Sequence, residues 1–268
     1  MMIGGAMLAG ALIEWSGLWA AYALIAISLA ISLPFLSLMN IKGSIDSSSG
    51  HLLRQTIQGL KYTSTNPSLR ILFTFSIVME TLGFAFLIMV PVMAKNVLEV
   101  DALGMGFIQA GIGTGMFVST LFMATKGDSL HKPRVVFLNA FCGGIALIAF
   151  ALSRSLPLSI FLAGAVMAFL YAYDVTLGVL LQLVAPPNLR GRAVSLHSLA
   201  ISFTALGGFI MGGIGSIVGV PVMITAGGIG IVINAIFRRR AILTVQEYSQ
   251  HRAKEENFGT NSDISVDK

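Results

Sequence analysis

Two acidic residues, Glu80 and Asp174, lie deep inside long apolar stretches of the chain. A carboxylate near the bilayer midplane costs at least about 2.5–3.5 kcal/mol, and such residues usually face a bundle interior or a water-filled path. A carboxyl group removed from water favours its neutral form, so it can exchange a proton when a cavity opens. The pair therefore predicts a proton-coupling site or an anionic anchor for a cationic substrate. The alternative is a structural role, with each acid held protonated by hydrogen bonds.

Two other polar side chains belong to this candidate cavity. Tyr171 lies about one helical turn before Asp174, where it can donate a hydrogen bond to the carboxylate or stack on a planar substrate. Gln109 precedes the run Gly111-x-Gly113-x-Gly115 in another apolar stretch. Ordinary helix packing is the alternative for both residues.

The composition identifies the bilayer as the solvent of this chain. Of the 268 residues, 55% are hydrophobic and 11% are charged, whereas a soluble domain carries about 25% charged residues. The net charge of +5 comes from short basic stretches between apolar runs, which does not indicate a nucleic-acid partner. Cys142 is the only cysteine, so an intramolecular disulfide and a cysteine metal cluster are excluded. With no phosphate-binding loop of the Gly-x4-Gly-Lys type, we expect no enzyme activity, no metal and no cofactor.

Eight apolar segments predict an all-α, multi-pass helical bundle. A spanning helix needs roughly 20 residues, and seven of the segments are long enough. The first has only 13 residues, so we interpret it as the end of a longer, truncated span. The predicted segments are approximately 1–13, 18–39, 71–94, 104–125, 135–153, 157–183, 193–217 and 220–237.

Basic residues predict the orientation in the cell membrane. The connections 40–70, 126–134 and 184–192 and the start of the tail at 238–240 are rich in lysine or arginine, and the connections between them are poorer. By the positive-inside rule, the basic connections and the C-terminus are cytoplasmic. Within 40–70, apolar residues recur at helical spacing after position 52, which predicts a short amphipathic helix on the membrane face.

Glycines predict close helix packing and an internal repeat. Gly4-Gly5-x4-Gly10 in the first segment is similar to Gly207-Gly208-x4-Gly213 in the seventh. Small residues at such spacing let helix backbones approach closely, and a period of six helices fits a transporter with parallel halves. The general abundance of glycine in membrane helices is the alternative. The predicted packing positions are Gly5, Gly10, Gly111, Gly115, Gly208 and Gly213.

Several stretches resemble the major facilitator superfamily, in its exporter-like branch of transmembrane secretion effectors and siderophore and macrolide efflux proteins. The likeness covers about residues 1–245. It includes the glycine motif at 4–10 followed by Trp15-Ser16-Gly17, and the linker LLRQTIQGLKYTSTNPSLR at 52–70. It also includes KGDSLHKPR at 126–134, a degenerate form of the family's glycine–aspartate–basic loop, and APPNLRGRAVSL at 185–196, the most specific stretch.

The resemblance implies a domain organisation. Residues 1–39 would be the end of the N-terminal half, with helices five and six of the family. Residues 40–69 would be a cytoplasmic linker, residues 70–240 the complete C-terminal six-helix half, and residues 241–268 a cytoplasmic tail. The tail is polar, so we expect it to fray after about residue 256.

The resemblance also implies a function, namely proton-coupled efflux of a small amphipathic molecule by alternating access. Glu80 would lie on the seventh helix and Asp174 on the tenth, both of which line the central cavity of the family fold. Charged residues of the basic loops would form a cytoplasmic latch. The missing N-terminal helices, or another chain, would be needed for transport. A truncated, non-transporting scaffold or inert fragment is the alternative. The latch residues are Asp128, Arg134, Arg190 and Arg192.

Overall fold

The computed structural model describes residues 13, 15–38, 65–185 and 190–264. All regular elements of these residues are helical, as the composition predicted. Gly5, Gly10 and the amphipathic helix expected after position 52 lie outside the described residues.

Nine α-helices follow one another along the described chain, with one π-helical turn between α2 and α3 and one 3-10 turn after α4. The π turn is Met79–Phe84 and the 3-10 turn is Gly127–Ser129. The helices are α1 Leu18–Leu38, α2 Pro67–Val78, α3 Phe86–Asn96, α4 Ala102–Lys126, α5 Lys132–Leu152, α6 Leu156–Val184, α7 Arg190–Ile201, α8 Phe203–Val218 and α9 Val220–Ile264.

Six stretches of the described residues are long and apolar enough to cross a membrane. They match the last six predicted segments to within a few residues at most ends. A shorter apolar stretch, Tyr22–Ser32, lies within α1, so the seventh full span stays a prediction. The six are Pro67–Asn96, Ala102–Lys126, Lys132–Leu152, Leu156–Val184, Ala193–Val218 and Val220–Val245.

Local sequence signals set the helix boundaries. The side chain of Asn66 accepts hydrogen bonds from the backbone N–H groups of Ser68 and Leu69, and Pro67 occupies the first turn of α2. Asp101 caps α4 in the same way through Gly104. Such caps satisfy donors that have no partner inside the helix. Gly219 ends α8 at a φ of 96°, a conformation that glycine adopts without steric cost.

The core lies where α5 packs against α6 and α9, and where α4 packs against α6. Phe86 and Phe150, both fully buried, meet there edge to face with ring centroids 6.0 Å apart. Large apolar side chains such as Phe161, Phe209 and Phe237 point outwards. An apolar exterior around a packed apolar interior is the arrangement that a bilayer solvent favours.

Two features differ from the sequence expectation. The segment 193–217 is interrupted by a turn at Ser202, between α7 and α8. The last helix continues through Ile264, beyond the predicted domain boundary at 240 and beyond the position where fraying was expected. Residues 252–256, Arg-Ala-Lys-Glu-Glu, all have high helix propensity, which favours continuation of the helix as far as residue 256 although the composition has become polar.

Candidate functional site

Glu80 lies in the π-helical turn near the middle of the first spanning stretch. Its side chain is only 2% exposed. Oγ1 of Thr204, on α8, donates a hydrogen bond of 2.6 Å to Oε2 of Glu80. Single π-helical turns inside α-helices occur frequently at functional sites. The turn therefore presents a buried carboxyl group to α8 at mid-membrane depth.

Asp174, on α6, is paired with His197, on α7. The atoms Nε2 of His197 and Oδ1 of Asp174 are 3.2 Å apart, and the two side chains are 15% and 22% exposed, respectively. This is the one ion pair found among the described residues. Gly178 lies one turn after Asp174, beside the imidazole ring of His197. A Cβ added at Gly178 would be 4.0 Å from the nearest atoms of that ring.

Helix α7 lies against α2, and α8 lies against the π turn that follows α2, so the two stretches run in the same direction and fix the order of these groups. Phe73 packs against Leu196 and Ala200, and further along the same helices Glu80 meets Thr204. His197 precedes Thr204 by seven residues along α7 and α8, so it lies nearer to the beginning of α2. The Asp174–His197 pair is therefore nearer to the basic end of the bundle than Glu80 is.

Glu80, Asp174 and His197 form one electrostatic cluster. Glu80 is close enough to interact with the charges of both Asp174 and His197. Within the described part of the chain, Glu80 has no cation at ion-pair distance. A buried carboxyl group that is hydrogen bonded but not neutralised by a cation is suited to holding a proton.

Two buried hydroxyl groups border the same cluster. Tyr173 and Ser76 are both fully buried. Neither side-chain oxygen makes a hydrogen bond in the described structure. The ring of Tyr173 packs edge to face on Phe75, with centroids 5.7 Å apart. Unpaired buried polar groups are rare in native proteins, and each calls for an explanation such as an ordered water or a functional role.

The sequence singled out Glu80 and Asp174 but not their partners. His197, Thr204 and Ser76 were not among the predicted site residues. The missed signal was the spacing of Ser76 and Glu80, because residues four apart are neighbours on a helix surface. Asp174 pairs with His197 rather than with Tyr171, which packs at the edge of the core. Gln109 is half buried on α4, and none of the contacts that define the cluster includes it.

The predicted latch residues lie at the basic end of the bundle. Asp128 belongs to the 3-10 turn, Arg134 is exposed on α5, and Arg190 and Arg192 belong to the first turn of α7. The structure does not describe the side chains of Asp128, Arg190 and Arg192. The latch therefore stays a prediction.

Glycines make the closest helix contacts. A side chain at Gly115 would overlap the backbone of Gly164, and one at Gly111 would overlap that of Ile160, so α4 and α6 meet at these positions. A side chain at Gly208 would overlap Ile88, and one at Gly207 would overlap the carbonyl of Thr81 in the π turn. Gly213, by contrast, faces open space. Gly207, which was not among the predicted packing positions, thus makes one of the close contacts.

The described residues contain no group of three or more histidine, cysteine, aspartate or glutamate side chains placed to hold a metal ion. The cluster consists of two carboxyl groups and one imidazole.

Comparison with known proteins adds a family and one relative. Residues 2–267 match the family model of the transmembrane secretion effectors. The chain is 25% identical over 256 residues to the enterobactin exporter EntS of Shigella flexneri. The matched region covers 93% of this chain and 58% of that protein. The chain thus spans little more than half the length of the curated relative that it matches.

Proposed function

Because this chain belongs to the transmembrane secretion effector family of the major facilitator superfamily, we propose that it takes part in proton-coupled export of a small amphipathic molecule across the cell membrane. The observation that carries the proposal is Glu80, a carboxyl group 2% exposed near the middle of a spanning helix. Its partner there is the hydroxyl of Thr204, and not a cation.

The proton chemistry follows from the position of Glu80. Away from water the carboxyl group keeps its proton, and contact with water on one side of the membrane releases it. Rocking of two six-helix halves would expose Glu80 to the two sides in turn, as alternating access requires. Proton movement in one direction would then drive the substrate in the other.

The second half of such a fold has to come from additional helices. The chain covers 58% of the relative, and the six candidate spans of its described residues are as many as one half of such a fold contains. We therefore place the transport activity in the assembly that includes the remaining helices, in the same chain or in another one. The substrate cavity would form between the halves, with Glu80 and Asp174 contributed by this one.

A flux assay tests the proposal. The complete native assembly is placed in inside-out vesicles that contain a pH-sensitive dye. Enterobactin, the compound in the relative's name, is added as the first probe and rhodamine 6G as a second amphipathic one. We expect the lumenal pH to rise as protons leave and the probe enters. Glu80→Gln keeps the shape of the side chain but cannot carry the proton, so it should abolish this rise.

Glu99→Gln is the matched control, because Glu99 is an exposed acid outside the spanning helices. It should leave the signal unchanged. Equal proton movement in the wild type and in Glu80→Gln would reject coupling at Glu80. Absence of movement with either probe in the wild-type assembly would favour the alternative, a membrane protein that does not transport such molecules.

A further inference from the structure

We propose that the Asp174–His197 pair and Glu80 are two stations of one proton path, bridged by the hydroxyl groups of Ser76 and Tyr173. This inference rests on the proposed role of Glu80 in proton coupling, and it assigns the route by which protons reach that residue. The path would run from the basic end of the bundle to the middle of the membrane.

The order of the groups along the helices supports the path. His197 is level with the middle of α2, because the neighbouring residues Leu196 and Ala200 contact Phe73. Thr204 is level with Glu80, to which it is hydrogen bonded. Ser76 lies between Phe73 and Glu80 on α2, about 6 Å below Glu80 along the helix axis. The hydroxyl of Ser76 therefore falls at a depth between the two stations.

Tyr173 brings the second hydroxyl to the same interface. It directly precedes Asp174 on α6, and its ring touches Phe75, the neighbour of Ser76 on α2. Tyr173 interacts electrostatically with both Asp174 and Glu80 and is close to the hydroxyl of Ser76. Tyr173 thus links the helix that carries Asp174 to the helix that carries Glu80.

Buried polar atoms without hydrogen-bond partners lie between the Asp174–His197 pair and Glu80. Three buried side-chain atoms make no hydrogen bond in the described structure. They are the hydroxyl oxygens of Ser76 and Tyr173 and Nδ1 of His197. A buried water typically makes two to four hydrogen bonds to such groups. A water held between these hydroxyls would connect the two stations. A hydroxyl can accept a proton on one side while it donates one on the other, so a proton would move along the chain with no net change in the hydroxyls.

The exposure of the two stations gives the path a direction. Asp174 and His197 are 22% and 15% exposed, whereas Glu80 is 2% exposed. The pair also lies nearer to the basic end of the bundle than Glu80 does. The paired residues are suited to receive the proton first, and Glu80 to hold it at mid-membrane depth.

The rate at which Glu80 takes up a proton tests the path without the need for a substrate. The complete protein in lipid nanodiscs is subjected to a rapid fall in pH, and the infrared C=O band of protonated Glu80 is followed over time. The band is assigned by its loss in Glu80→Gln. We expect the double variant Ser76→Ala/Tyr173→Phe to slow its appearance by about tenfold or more, since positioned proton-transfer groups contribute at least that much.

Ser119→Ala is the matched control, because Ser119 is also a buried residue whose hydroxyl has no partner, but it lies on α4. It should leave the rate unchanged. The single variants Ser76→Ala and Tyr173→Phe replace the double variant if that protein does not fold. A wild-type rate in the hydroxyl variants would overturn the path while leaving Glu80 as a coupling residue. Absence of any pH-responsive band that Glu80→Gln removes would overturn both the path and the coupling.

Discussion

Thr204 and Glu80 are separated by 124 residues in the chain and joined by a hydrogen bond of 2.6 Å. The bond connects α8 to the π turn between α2 and α3, so it ties two parts of the bundle together at the depth where a charge is most costly. It also satisfies one oxygen of a carboxyl group that has no cation beside it in the described structure.

Replacing Thr204 by valine should destabilise the protein. Valine has nearly the same shape but leaves the buried carboxyl group without its donor, which costs about 1–3 kcal/mol of unfolding free energy. Thr204→Ser keeps the hydroxyl and should lose less. Denaturant unfolding in mild detergent measures the difference. A larger loss for the serine variant than for the valine variant would show that packing, rather than the hydrogen bond, is what Thr204 contributes.

Two glycine substitutions should distinguish a glycine that makes a close helix contact from one that does not. In Gly115→Ala the new methyl group would overlap the backbone of Gly164, which forces α4 away from α6. We expect a loss of unfolding free energy of about 1–3 kcal/mol, typical of overpacking. Gly213→Ala meets open space and should be stabilising by about 0.5–1 kcal/mol through helix propensity. Thermal unfolding midpoints of the two variants should therefore shift in opposite directions, and a shared direction would contradict the assigned contact.

Gly207→Ala should uncouple Thr204 from Glu80. A Cβ at Gly207 would overlap the carbonyl of Thr81, so the π turn has to move and carry the neighbouring Glu80 with it. In the Gly207→Ala background, Thr204→Val should then cost little additional unfolding free energy. A double-mutant cycle measures this non-additivity. If the two losses simply add, the close approach of Gly207 does not position Glu80.

The orientation of the bundle can be tested at the two ends of α5. In a Cys142→Ser background, Ser129→Cys and Ser155→Cys each give one thiol at an exposed position. A membrane-impermeant maleimide applied to intact cells should label Ser155→Cys, whereas Ser129→Cys should react only after permeabilisation. The reason is that the basic connection 126–134 is expected to stay in the cytoplasm. The opposite pattern would reverse the predicted topology.

Helix positions and one half of the candidate site were readable from the sequence because each depends on local properties. Spans follow from the length of apolar runs, which the bilayer thickness sets. Glu80 and Asp174 stood out because a carboxyl group in such a run is costly wherever the helix is placed. The π turn around Glu80 was not predicted, since its hydrogen-bond pattern leaves no comparable sign in the residue types.

The sequence by itself determined that this chain is an all-α membrane protein with two acids at membrane depth, because hydrophobicity and charge act residue by residue. Only the tertiary structure decided that Glu80 meets Thr204 and that Asp174 meets His197. The packing of α2 against α7, of the π turn against α8, and of α6 against α7 brings together residues that are far apart in the chain. Those contacts depend on which glycines allow helices to approach, and that is a property of pairs of helix surfaces.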